Sequence, residues 1–166
     1  LRLPRFSKLP TLHRMEVMKA QTMLAIRAKV TNTPDGHQVT MSTNDALRPL
    51  DIPPKDSGRG SSANGAELLF LALATCYCND IFREAARRGI HVSSVDVQVE
   101  GSFAPEPGST ASDVRYQATV TADASEADIL DLMAHTDTVA EIQNTLRAGV
   151  PVALAELRAI SSLDHG

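Results

Sequence analysis

Apolar and polar residues alternate along the first well-patterned stretch of the chain. In TMLAIRAKV, residues 22 to 30, Leu24, Ile26, Ala28 and Val30 fall on one face of an extended segment. TPDG at 33 to 36 brings Pro and Gly where a turn needs them, and HQVTMST continues outward as the second strand of a hairpin. From Asn44 to Gly65, Pro, Gly, Ser and Asp crowd together with little periodicity, which predicts a long loop. Loops of that length are uncommon unless they serve a function.

Asn64 and Glu67 have the spacing of a helix N-cap and its N3 carboxylate, and Gly89 follows Arg87 and Arg88 as at a helix C-terminus. The helix between them should run for about 24 residues, roughly 36 Å. Its first half is apolar on every side and asks for protein cover all round, whereas DIFREAARR is amphipathic. Beyond it, HVSSVDVQVEGSF carries Val95, Val97 and Val99 at alternate positions, and VRYQATVTA repeats the device with Val114, Tyr116, Ala118 and Val120. Joined by APEPGSTASD, these read as a meander pair, each strand with one wet face. Ser125 with Asp128, and Thr138 with Glu141, mark the starts of two short helices, the second ending at Gly149. VPVALAELRAI then reads as a closing strand. The order ββ, α, ββ, αα, β lacks strict βαβ alternation and argues for an α+β fold with antiparallel sheet.

The 166 residues suffice for one domain, or one domain with an arm. Trp is absent and aromatic residues are 4% of the chain, so the core is aliphatic. A net charge of -4, with no tract of interleaved basic and aromatic residues, argues against nucleic acid as a partner. The apolar run AELLFLALATCYC is short of the roughly 20 residues needed to cross a bilayer, so a buried helix is expected rather than a membrane span. Residues 1 to 19 stand apart, with Arg2, Arg5, Lys8, Arg14 and Lys19 against the single acid Glu16. A flexible basic arm, an extension upstream of a start at Met15 or Met18, and a transit-like segment compete as readings. A single domain is expected over 20–166, in the cytoplasm.

Both cysteines, Cys76 and Cys78, lie in the middle of the long helix. Residues two apart on a helix point about 200° away from each other, so the two thiols cannot form a disulfide without unwinding it. A zinc site wants four ligands at spacings such as CxxC, and a CxC in mid-helix without a neighbouring His does not supply them. No metal or cofactor is expected. Both can be packing residues, since free Cys is among the most buried types. For Cys76 to act as a nucleophile it needs a nearby cation, because reactivity requires thiolate.

The Glu followed nine residues later by Cys in ELLFLALATC, after a Gly-rich loop and before GIHVSSVDVQVEG, resembles the OsmC/Ohr family of osmotically induced and organic-hydroperoxide-resistance proteins. AHTDTVAEIQNTL, residues 134 to 146, is similar to the family's second-cysteine helix, and the resemblance covers roughly residues 22 to 160. It implies an intertwined homodimer, with antiparallel sheets from both chains wrapped around long central helices. It further implies that Cys76 attacks the O–O bond of an organic hydroperoxide and becomes a sulfenic acid. In the active branches an Arg held by a Glu activates the thiolate. Glu67 occupies that Glu position, although a capping role serves it equally. Arg59 and Arg48 are the loop candidates for the Arg, with Arg27 behind them.

The chain departs from the family where His, two residues and Cys are expected: His135, Thr136 and Asp137 lead to Thr138. A hydroxyl cannot form a disulfide, so turnover at Cys76 would require an external thiol reductant. His135 is expected to pack or cap rather than to act in catalysis. Two rivals stand beside a one-cysteine hydroperoxide reductase. One is a non-catalytic dimer of the same fold that binds a small hydrophobic ligand or a protein partner. The other is a thiol sensor whose oxidised Cys76 is trapped by glutathione.

Overall fold

In the computed structural model the described residues are 23–160. The basic stretch 1 to 19 lies outside them. They fall into two compact units that meet in sequence between Ala63 and Asn64.

The first unit is a three-stranded antiparallel sheet, β1 (Ile26–Thr33), β2 (Gly36–Thr43) and β3 (Ala46–Pro49), in sequence order. The predicted hairpin is present. Thr33 pairs with Gly36, leaving Pro34 and Asp35 as its two-residue turn. The third strand corrects the expectation of an unbroken loop from Asn44. Asn44 adopts the left-handed conformation, φ 53°, that Asn tolerates, and turns the chain so that Thr43 pairs with Ala46. Four residues ending at Pro49 are too short for any hydrophobic period to register, and only the pairing with β2 makes them a strand. Within this unit the apolar face of β1 lies open, with Ile26 67% and Val30 58% exposed.

The second unit is built on the 24-residue helix α1 (Gly65–Arg88). Asn64 caps it as the spacing predicts. The Asn64 side chain accepts from the Ala66 and Glu67 backbone N–H groups, and Glu67 Oε2 accepts in return from Asn64 N at 2.7 Å. At the other end Gly89 takes φ 69°, where a Cβ would be strained, and closes the helix. Strands β4 (Val92–Phe103) and β5 (Ala111–Ala122) pair antiparallel, with Val95 opposite Val120, Val97 opposite Ala118 and Val99 opposite Tyr116. The alternation seen in the sequence is therefore the inward face of this ribbon. Helices α2 (Glu126–Val139) and α3 (Glu141–Ala148) follow, α2 capped by Ser125 through Asp128 N.

Three expectations need correction. Thr138 does not cap α3: it lies in the last turn of α2, its hydroxyl donates to the His135 carbonyl, and Ala140 is the N-cap residue, without a side-chain bond. The closing strand is not formed. Residues 150–160 carry no regular structure, with Val152 99% and Leu154 79% exposed, because no strand edge among the described residues pairs with them. Nor is α1 sheathed all round. One stripe is buried, Leu73, Tyr77, Ile81 and Ala85 at helical spacing, packed with Leu132 and Ala140, while Leu71 is 58% exposed.

By length and composition α1 is also apolar enough to cross a membrane, with a window of mean hydropathy 1.3. A core helix passes the same test, and here the apolar stripe is occupied by the β4–β5 ribbon and α2.

One backbone approach is unusually close. At the register shift between Glu100 and Ser102, a Cβ on Gly101 would meet Phe70 Cζ at 2.8 Å and the Ser112 carbonyl oxygen at 3.2 Å. Phe70 can yield but the backbone oxygen cannot. Gly101→Ala is expected to lower stability by about 1–3 kcal/mol in urea unfolding. Gly36→Ala, where nothing lies within 4 Å, should stay within about 0.5 kcal/mol of the parent. Equal midpoints for the two variants would contradict this packing account.

Candidate functional site

Along α1, Cys76 is followed at four, seven and eight residues by Asp80, Arg83 and Glu84, a spacing that a helix gathers on one side. Asp80 is 4% and Glu84 3% exposed, and carboxylates are almost never buried so deeply without partners. Arg83 supplies them. Its guanidinium lies 2.7 Å from Asp80 and 2.9 Å from Glu84, and reaches Glu141 of α3 at 3.1 Å. Arg87 at 2.8 Å and His135 Nε2 at 3.5 Å complete the ring of nitrogen groups around Glu84.

Cys76 Sγ donates toward this cluster, 3.6 Å from Asp80 Oδ2 and 3.9 Å from Glu141 Oε2. Burial pushes the thiol above its ordinary pKa. The Ile142 N–H, at the start of α3, pulls it down as helix N-termini do, but the negative charges of Asp80 and Glu141 reinforce the upward shift and the net direction is up. The two carboxyls move in opposite directions. Burial and the Glu141 charge raise Asp80. Burial works against ionised Glu141, but its own backbone N–H and the Arg83 charge outweigh that and lower it. Glu84 is held below the usual carboxylate range by the Arg83 hydrogen bond and then by Arg87.

Cys76, Asp80 and Glu141 also offer three donor atoms within 4.8 Å of one another. One sulfur and two carboxylates fall short of the four ligands of a structural zinc, and Arg83 already neutralises them in part.

The residues singled out in the sequence are divided between the two units. Glu67 is committed to the cap of α1, two and a half turns before Cys76. Arg48 lies on exposed β3 opposite Met41, and Arg59 lines a polar surface cavity of about 460 Å³ with His37 and Lys55, both in the first unit. Arg27 is bonded to the Asn44 carbonyl. Cys78 points elsewhere on α1 and lines a shallow depression with Val97, and both cysteines are free thiols. The cation bonded to the carboxylate beside Cys76 comes from α1 itself, Arg83, and not from the loops. The spacing at four, seven and eight residues carried that signal. Glu141 carried none, because only the packing of α3 against α1 brings it to the thiol.

The family model described as OsmC-like protein matches residues 58–155, more than half of the chain, and the chain belongs to the OsmC-like protein family. Among solved structures it is similar to an OsmC-like protein from Mycoplasma pneumoniae, with TM-score 0.57, 19% identity, and coverage of 78% of this chain and 90% of that one. It is similar to a hypothetical protein from Aquifex aeolicus VF5, at TM-score 0.56, 10% identity and coverage of 76% and 90%. An organic hydroperoxide resistance protein from Elizabethkingia anophelis follows at TM-score 0.50 and 14% identity, with coverage of 80% and 93%. These likenesses establish the shared α+β fold. No curated protein matches the chain.

Neutralising Asp80 removes both an acceptor and a negative charge from the thiol. In a Cys78→Ser background, Asp80→Asn is expected to speed iodoacetamide alkylation of Cys76 at pH 7.5 by about three- to tenfold. A rate equal to or below that of the parent would show that Asp80 does not restrain the thiol.

Proposed function

We propose that this chain is a one-cysteine thiol peroxidase that reduces organic hydroperoxides through Cys76. It works as a cytoplasmic homodimer with an external thiol as reductant. The observation that carries the reading is the hydrogen bond from Cys76 Sγ to Asp80, itself anchored by Arg83. Membership of the OsmC-like family supports it, as does the name of the Elizabethkingia anophelis relative.

Asp80 accepts the thiol proton, and its raised pKa makes it a stronger base than an ordinary carboxylate. The thiolate attacks the outer oxygen of R–O–OH and the O–O bond breaks. Sulfur becomes sulfenic acid, and the departing alkoxide takes the proton from Asp80 to leave as R–OH. With Thr138 where a second cysteine would stand, two equivalents of an external thiol return the sulfenic acid to thiol and release water. Arg83 holds the carboxylates in place and tempers their charge. Arg48 and Arg59 are further candidates for an activating cation, and turnover by their Ala variants tests each.

The same raised thiol favours a second reading, in which Cys76 stays protonated and the protein binds without catalysing. Loss of cumene hydroperoxide in excess dithiothreitol or dihydrolipoamide separates the two. Turnover should fall to the uncatalysed rate in Cys76→Ser and change by less than about twofold from pH 7 to 8, because Asp80 takes the thiol proton during attack and returns it to the alkoxide, so that no proton has to leave the site first. No turnover with either reductant, with Cys76 left unmodified by peroxide, would leave the binding reading.

A second copy of the chain would cover apolar surface that one copy leaves open. Apolar side chains are exposed on β1 in the first unit, and at Leu71 of α1 and along 150–160 in the second, and exposed apolar surface marks interaction sites. Sedimentation equilibrium is expected to give about twice the chain mass of 17.8 kDa. A monomer at micromolar concentration would contradict it.

A further inference from the structure

The turn after β1 and the loop over 54–60 line a surface cavity of about 460 Å³ that lies wholly in the first unit, a volume within the range of small-molecule sites. Lys55 and Arg59 stand on its wall against the single acid Asp35, which leaves the lining net positive. Neither cation forms an ion pair among the described residues. The walls are joined through His37, whose ring nitrogens bond to Asn32 at 3.2 Å and to Ser61 at 3.0 Å. The loop is closed by the Pro54–Ser61 bridge and by the Lys55 N–H, which donates to the Gly60 carbonyl. Within it Gly58 takes φ 80° and Gly60 φ 107°, and the backbone N–H groups of 56–60 donate to no backbone acceptor among the described residues. Turns with left-handed residues and free N–H groups are what anion-binding concavities are built from.

We propose that this cavity binds a phosphate monoester, its phosphoryl group held by Lys55, Arg59 and the N–H groups of the 56–60 loop. Two cations without ion-pair partners call for a dianion. A phosphate monoester brings about two negative charges and three strong acceptor oxygens, where a carboxylate brings a single charge and a pair of oxygens. The Arg59 guanidinium can take two of those oxygens side by side, and the Lys55 ammonium meets the third as a point charge. Both side chains are exposed, so a ligand arriving from solvent can reach them, and the remaining volume admits a small organic body. Cys76 belongs to the other unit, and the inference goes beyond the peroxidase reading and holds whether or not Cys76 turns over.

The test is calorimetric titration of the full-length protein with glycerol 3-phosphate and with glycerol in about 0.1 M salt, beside flotation with phosphatidylcholine vesicles that contain phosphatidic acid. Glycerol 3-phosphate is expected to bind saturably and glycerol not at all. Lys55→Gln and Arg59→Gln should each weaken binding about tenfold or more, whereas Lys29→Gln, at a basic residue of β1 outside the lining, should stay within about twofold. Both substituted cations are exposed, so the variants are expected to fold. Saturation in solution identifies a soluble monoester. Flotation that is lost in the same two variants, without binding in solution, identifies a lipid headgroup as the source of the phosphoryl group. Binding that is indifferent to Lys55 and Arg59, or that falls equally in Lys29→Gln, would overturn the cavity as the site, and an absence of binding in both arms would overturn the proposal. Because no hydroperoxide enters the readout, failure here and failure of hydroperoxide turnover are distinguishable.

Discussion

The second unit depends on one helix face having to bury opposite kinds of chemistry at once. The stripe of α1 that packs inward carries Leu73, Tyr77 and Ile81, and also Asp80 and Glu84. Apolar burial drives the helix onto the β4–β5 ribbon and α2, but two carboxylates cannot follow without compensation. Arg83 resolves the conflict because its guanidinium can address Asp80, Glu84 and Glu141 together, which a lysine ammonium would do with less directional fit. The start of α3 is thereby tied to the middle of α1. That tie is also what places Glu141 and the Ile142 N–H around the Cys76 thiol.

The environment of Cys76 follows from this arrangement rather than being added to it. A thiol near a helix N-terminus and an arginine would ordinarily be acidified. Here Arg83 is committed to carboxylates, and the charges that face sulfur most directly are negative. Such a thiol is a poor resting nucleophile with a good base beside it, a combination suited to chemistry in which proton removal accompanies attack. Slow alkylation at neutral pH is expected of the same thiol. Tyr77, on the same buried stripe, shows the same influence of burial: with its hydroxyl bonded to the Met133 carbonyl, it is pushed up to about 12.

Much of the second unit was legible in the sequence because its signals are local. Asn64 with Glu67, Gly89, Ser125 with Asp128, and the alternating valines each announce a backbone conformation within a few residues, and the structure places all of them as read. What was not legible is set by contacts distant in sequence. Strand β3 exists only through its pairing with β2, and the alternation of 150–160 promises a strand that finds no edge among the described residues. The candidate site divides in the same way. Cys76 was evident and Arg83 was within reach of helical arithmetic, but Glu141 is separated from Cys76 by 65 positions and meets it only through tertiary packing. Glu67 shows a different case, a residue whose position fits both readings and whose Oε2 accepts the Asn64 backbone N–H of the cap.

The raised thiol of Cys76 faces carboxylates that Arg83 holds in place. Thiolate absorbance at 240 nm, followed against pH in the Cys78→Ser protein, tests it most directly. A midpoint above the ordinary thiol value of about 8.5 is expected, because burial and the charges of Asp80 and Glu141 act together. A thiolate already formed below pH 7 would contradict it, and would mean that a cation other than Arg83 governs the sulfur.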